Sequence, residues 1–179
     1  MVRTLFAAVF VAGAALTTNA ADTKYALTGD NTKLTFVGTK PGGKHEGGFA
    51  KLTGTAVDSG DPTTLKIEVS IDTDSLYSDD AKLTAHLKNA DFFDVKNQPK
   101  ATFKSTKVEK GDKGYTVTGD LTLLGKTKSV TFPATIADKD GTLSVTASFA
   151  IDRTEWGMNF GKGKIDDKVT IGIAVTAKK

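Results

Sequence analysis

Apolar and polar residues alternate with period two along most of this chain. Leu34, Phe36 and Gly38 alternate with Lys33, Thr35 and Val37, and Leu65, Ile67, Val69 and Ile71 with Lys66, Glu68 and Ser70. Tyr115, Val117, Gly119, Leu121 and Leu123 alternate with threonines and Asp120. Val130, Phe132, Ala134 and Ile136 follow, then Leu143, Val145, Ala147, Phe149 and Ile151, and finally Val169, Ile171, Ile173 and Val175. Period two is the signature of strands with one buried face. Shorter strands are predicted at residues 24–27, 49–57 and 101–109. Turn chemistry separates these runs, as in Lys110-Gly111-Asp112-Lys113-Gly114, Leu124-Gly125-Lys126 and Asp138-Lys139-Asp140-Gly141. Strands joined so closely must be antiparallel. Pro62 and Pro133 are expected at strand ends or edges, where a missing donor is tolerated.

One stretch departs from this pattern. Residues 79–87 start with Asp79 and Asp80 and carry Leu83 and Leu87 at i, i+4, which predicts a short helix. Phe92 and Phe93 follow between Asp91 and Asp94, in a polar connection where an aromatic pair needs an apolar destination. Residues 79–95 are therefore expected to form one helical excursion covering an end of the sheet. Residues 41–48, rich in glycine, read as a mobile loop.

Eight or nine antiparallel strands with one apolar face can form a sandwich or close into a barrel. An eight-stranded barrel is just wide enough to be filled by side chains or to hold one small ligand. Small Gly38, Gly119, Ala134 and Ala147 fall on the inner face among Phe, Leu, Ile and Val. Pattern alone leaves a packed core and a cavity both open.

The N-terminus adds a compartment. Arg3, an apolar run over residues 5–16 and the small Ala20 read as a signal peptide spanning 1–20, with one domain over 21–179. The run is shorter than the ~20 residues of a membrane span, so no stable membrane insertion is expected. A periplasmic or secreted location follows. The chain has no cysteine, so neither a disulfide nor a lipid-modified cysteine holds it. Lys and Arg number 24 against 21 Asp and Glu; removal of Arg3 leaves 23 basic residues against 21 acidic ones. The lysines are scattered, a solvated-surface pattern rather than a nucleic-acid footprint. No nucleic-acid partner is expected.

Reactive chemistry is sparse. His45 and His86 fall in different connections, and no serine sits in a nucleophile-elbow pattern. Gly38-Thr-Lys-Pro-Gly-Gly43-Lys44 approaches a phosphate-binding loop, but His45 replaces the required Ser or Thr and strands flank it. Asp72-Thr73-Asp74 begins like a calcium loop, but Leu76 takes the fifth position. Two histidines without cysteine argue against zinc. No catalytic residue, metal or cofactor is expected. The segment Asp152-Arg153-Thr154-Glu155-Trp156-Gly157-Met158 follows a long strand directly. Arg153 and an acid could form a rim pair with Trp156 as a plug. Alternatively, Trp156 could lie against a ligand's apolar body with Arg153 near its polar head.

At these segments the chain resembles the YceI family of lipocalin-like periplasmic proteins. The carrying motifs are His86-Leu87 with Asp91-Phe92-Phe93-Asp94-Val95, Pro99-Lys100-Ala101-Thr102-Phe103-Lys104-Ser105-Thr106, Gly119-Asp120-Leu121-Thr122-Leu123 with Gly125-Lys126-Thr127-Lys128-Ser129-Val130, and the Arg153 segment. They cover nearly the whole mature chain. Asn31-Thr32 stands where many members carry His-Ser, and Trp156-Gly157 where Phe-Gly is usual. The resemblance implies an all-β fold: a single antiparallel eight-stranded lipocalin-like barrel with one short helical excursion. It also implies a non-enzymatic protein that binds or sequesters a polyisoprenoid, a quinone-type or fatty-acid-like lipid, or a similar amphiphile in its lumen. The expected lining is Phe36, Phe103, Leu121, Phe132 and Phe149, with Phe92, Phe93, Arg153 and Trp156 arriving from the ends. The alternative is a filled barrel without lipid, acting as a stress-response or interaction protein. The oligomeric state stays open, a homodimer being one candidate.

Overall fold

The tight turns between alternating runs do set an antiparallel sheet. The computed structural model describes residues 22–179, so the signal-like segment and its cleavage position lie outside the described residues. Eleven strands follow in chain order: β1 (Thr23–Thr28), β2 (Thr32–Lys40), β3 (Gly43–Phe49), β4 (Leu52–Asp58), β5 (Lys66–Asp72), β6 (Leu76–Ser78), β7 (Lys100–Gly111), β8 (Gly114–Leu123), β9 (Lys126–Lys139), β10 (Thr142–Asp152) and β11 (Lys168–Lys178). They form one sheet in the order β1-β4-β5-β7-β8-β9-β10-β11-β2-β3-β6, with every pairing antiparallel. The turns obey their chemistry. Leu124-Gly125 and Asp140-Gly141 each place two successive residues at positive φ, at 50° and 70° and at 53° and 71°, the hairpin turn whose twist matches the strands it joins.

The expectation of eight strands is corrected to eleven. Three long passes are each broken in two: β1 from β2 at residues 29–31, β3 from β4 at Ala50 and Lys51, and β5 from β6 by a 3₁₀ turn at Thr73–Ser75. Backbone bonds bridge two of these breaks, from Asp72 N–H to Lys51 O at 3.0 Å and from Ala50 N–H to Ser75 O at 3.2 Å. The bent passes tie the two ends of the strand order together, and the sheet curls into a barrel-like shape.

Two further expectations are corrected. Residues 41–48 are not a loop: only Pro41 and Gly42 turn, and β3 pairs with β2 from Gly43 onward. The helix, α1, spans Ala81–Leu87 and no more; residues 88–98 continue as turns. Asp80 caps it, its carboxylate accepting from Leu83 N–H at 2.7 Å. A seven-residue helix is too short to be stable alone. Leu87 holds it by packing with Phe36, Leu76 and Phe92 in a small apolar cluster at one end of the sheet. The larger cluster runs along the rest of the sheet, from Tyr25, Leu27, Val117 and Leu143 to Leu123, Trp156 and Met158.

Candidate functional site

The concave face of the curled sheet carries the alternating apolar residues, and between the two clusters they do not meet. They leave a cavity of about 280 Å³. Its wall follows from strand register. On β2, Leu34, Phe36, Gly38 and Lys40 share one face. Opposite them on β3 stand Phe49, Gly47, His45 and Gly43, and on β11 Ile173, Ile171 and Val169 face the first three. Phe103, Leu121 and Phe132 bring in β7, β8 and β9, and Leu83, Leu87 and Phe92 close one end from α1 and its following turns. A second cavity of about 90 Å³ lies deeper. Leu34, Ile71, Phe103, Phe132 and Ile173 border both and form the partition between them.

Glycines decide where the wall is thick. A Cβ on Gly47 would stand 2.5 Å from the Phe36 ring, and one on Gly119 2.5 Å from the Phe103 ring. Their missing side chains make room for those rings, which lie across the strands. Gly38 differs: a Cβ there would meet nothing within 4 Å. Small inner-face residues therefore divide into two kinds, those whose space a neighbouring ring has taken and one whose space is open.

Eight of the nine residues predicted from sequence border the cavity: Phe36, Phe92, Phe93, Phe103, Leu121, Phe132, Phe149 and Arg153. Phe132 and Phe149 stack at 4.1 Å with their planes 6° apart. They do so just where the β9–β10 ladder, last paired at Ala134 and Ala147, parts. Trp156 is the correction. Its indole is buried away from the cavity and donates through Nε1 to Leu121 O at 3.1 Å. The 3₁₀ turn at Arg153–Trp156 that ends β10 swings it back against β8.

Arg153 borders the cavity but does not offer itself to it. It is 4% exposed. Nε donates to Asp166 O at 3.1 Å, Nη1 to the carbonyls of Met158 and Phe160, and Nη2 to Ile165 O and the Asp167 carboxylate, each at 3.4 Å. A guanidinium has five N–H groups, and here each has an acceptor. The sequence-based picture of Arg153 holding a polar head is corrected: it holds the 158–167 loop. Just before it, hydrogen bonds from the Thr154 hydroxyl and N–H keep the Asp152 carboxyl below the usual carboxylate range.

Sequence reasoning missed Lys40 and His45 at the cavity mouth. The signal was present. Extending the Leu34-Phe36-Gly38 alternation by two reaches Lys40, and a two-residue turn at Pro41-Gly42 sets His45 across from Gly38. His45 Nδ1 lies 3.0 Å from Asp79 Oδ1. That bond, then one from Glu46 N–H, holds the Asp79 carboxyl below its ordinary range. The other histidine, His86, pairs with Asp91 at 3.0 Å and stands edge-on to Phe92 and Phe160. Among the described residues no three His, Cys, Asp or Glu side chains gather as a metal site. No helix among them is long and apolar enough to cross a membrane.

The model of the YceI-like domain matches residues 25–177. A UPF0312 protein of Pseudomonas putida is 52% identical over 79 residues, covering 44% of this chain and 41% of that relative. The chain spans less than half the length of the curated relatives it matches. BcnA of Burkholderia cenocepacia superposes with a TM-score of 0.75 at 27% identity, covering 82% of this chain and 96% of BcnA. A polyisoprenoid binding domain from Saccharophagus degradans, implicated in plant cell wall breakdown, shares the fold at a TM-score of 0.69 and 14% identity, covering 87% of this chain and 97% of that domain. The family pattern runs from β1 into β11, and the chain belongs to the YceI-like domain family.

Proposed function

We propose that this protein is a non-enzymatic carrier that holds the apolar tail of an amphiphile, a polyisoprenoid or a similar long lipid, within its curled sheet. On this reading the sheet works as a closed, lipocalin-like barrel. The observation that carries it is the apolar cavity of about 280 Å³. That is nearly twice the ~150 Å³ at which an apolar cavity stays dry and admits benzene. Each buried methylene contributes about 0.8 kcal/mol, so about ten would gain roughly 8 kcal/mol before the costs of association. No strong polar contact is needed. One structural relative is itself a polyisoprenoid binding domain, which supports the same ligand class here.

Native mass spectrometry of protein purified without added lipid tests the proposal. An adduct of defined mass that organic extraction removes is expected. Bare polypeptide in every preparation, with no uptake of geranylgeraniol on titration, refutes it. A filled barrel serving as an interaction protein is the second reading. It draws on the Phe36 and Phe103 rings, which already occupy the space beside Gly47 and Gly119. We also propose export, from the apolar run over residues 5–16. N-terminal sequencing of the exported protein should begin at Ala21 or Asp22; an intact Met1 would refute it.

A further inference from the structure

We infer that the β2–β3 hairpin is the head-group end of the cavity and that it takes an anionic head, a carboxylate or a phosphate, with Lys40 supplying the charge. The inference rests on the carrier reading and adds the polarity and charge of the ligand's other end.

The hairpin carries the inner face of the sheet outward through four register levels. Leu34 faces Phe49, Phe36 faces Gly47, Gly38 faces His45, and Lys40 faces Gly43. The first two levels are apolar, the third mixed and the last cationic. An amphiphile lying along this face meets the same sequence, tail to head. Gly38 leaves open space at the changeover, since a Cβ there would touch nothing. The hairpin is thus wide where a head group would leave the apolar part.

Three cationic or titratable side chains border the cavity: Lys40, His45 and Arg153. Arg153 spends every donor on its own loop. His45 is held by Asp79. Of the other charges, Lys44 is on Glu46 at 2.5 Å, Asp166 accepts the Thr39 hydroxyl at 2.5 Å, and Lys33 is exposed on the opposite face of β2 from Leu34. Lys40 makes no ion pair and no side-chain hydrogen bond among the described residues. Its Cε would lie 3.5 Å from a Cβ on Gly43, so its stem lies over the turn that ends the inner face. One unspent cation on the border of an apolar cavity selects an anionic head.

The experiment compares matched probes on the full mature chain: geranylgeranyl phosphate against geranylgeraniol, and palmitate against hexadecanol. Each is titrated at low and high salt with the parent, Lys40→Met and Lys44→Met. Lys44 is the control, because it sits on the same hairpin but the opposite face. We expect each anion to bind about fivefold more tightly than its alcohol, the upper range for an exposed ion pair. Salt should erode the preference. Lys40→Met should abolish it and leave alcohol binding unchanged, while Lys44→Met should preserve it. Preference for the phosphate pair alone, or the carboxylate pair alone, identifies the source of the anion. Equal binding of anion and alcohol, or a preference that survives Lys40→Met, overturns the inference and leaves the carrier reading standing. Failure to bind any of the four probes ends both.

Discussion

Replacing Arg153 by Met separates a loop clasp from a ligand anchor. Methionine keeps much of the aliphatic stem and removes the charge with all five donors. Three of the bonds lost are short or of ordinary length, to the carbonyls of Asp166, Met158 and Phe160, and two are long at 3.4 Å. Hydrogen bonds from a charged donor contribute about 1.5–3 kcal/mol each, so the three strong ones set an upper bound of roughly 4–9 kcal/mol. The loop that supplies the acceptors is largely exposed between Asn159 and Lys164, and rehydration returns part of this. A net loss of about 3–5 kcal/mol is expected, as when one partner of a buried charged pair is removed. For a domain of this size that lowers Tm by roughly 6–20 °C. Urea denaturation gives the free energy, and amide exchange localises it: protection should fall first over residues 158–167. Arg153→Lys should recover only a fraction, because an ammonium cannot reach five acceptors in a fork. A variant with parental stability and parental exchange that no longer binds lipid would refute the clasp and restore Arg153 as a head-group anchor.

Gly47→Ala should cost about 1–3 kcal/mol by overpacking, because its Cβ would lie 2.3 Å from Tyr77 O and 2.5 Å from the Phe36 ring. Gly38→Ala should stay within about 0.5 kcal/mol of parent, and Gly38→Leu should keep the melt while weakening lipid uptake; equal destabilisation at both glycines would contradict the open mouth. Phe132→Ala should join the two cavities, cost about 3–5 kcal/mol and lengthen the longest alcohol accepted in a chain-length series; an unchanged cut-off would mean that the partition lies elsewhere. The Tyr25 phenol is pushed up to about 12, by burial first and then by its 2.5 Å hydrogen bond to Asp138. The fold therefore favours the neutral phenol, so this stability is fully present below about pH 10, the unfolded value, and is lost as pH rises through about 12. Phenolate absorbance should show a late-ionising component that Tyr25→Phe removes, and survival of that component in the variant would contradict it.

Strand alternation made β8, β10 and β11 legible because each keeps one face buried or half-buried along its length. It also placed Phe36, Phe103 and Leu121 on the inner face. It failed at β3, where Gly43, Gly47 and Gly48 hide the period: their contribution is the absence of side chains, which lets Phe36 and Tyr77 lie close. The strand count failed for a related reason. Breaks at Ala50–Lys51 and at the 3₁₀ turn of Thr73–Ser75 depend on partners across the sheet, which a local window does not contain. Trp156 was misplaced because period two says nothing about a chain that turns back after its strand. Arg153 bordered the cavity as expected, yet four of its five acceptors are carbonyls up to thirteen residues away, and backbone acceptors leave no mark in sequence.

The Gly47–Phe36 and Gly119–Phe103 pairs bear on how such a wall can change over generations. Enlarging either glycine first meets both a ring and a cross-strand carbonyl, Tyr77 O at 2.3 Å for Gly47 and Lys104 O at 2.6 Å for Gly119, and shrinking the ring first opens a void. Each single step is penalised, while the two together relieve the ring's share of the clash and leave the carbonyl's. A swap such as Phe36→Ala with Gly47→Val should therefore show coupling between its halves of about 0.5–3 kcal/mol. The bore of this sheet would then drift by compensated pairs across neighbouring strands, whereas Gly38, which no ring opposes, is free to vary alone. Lineages selected for a different tail should differ at the paired positions together, and those selected for a different head at Gly38 and Lys40 one residue at a time.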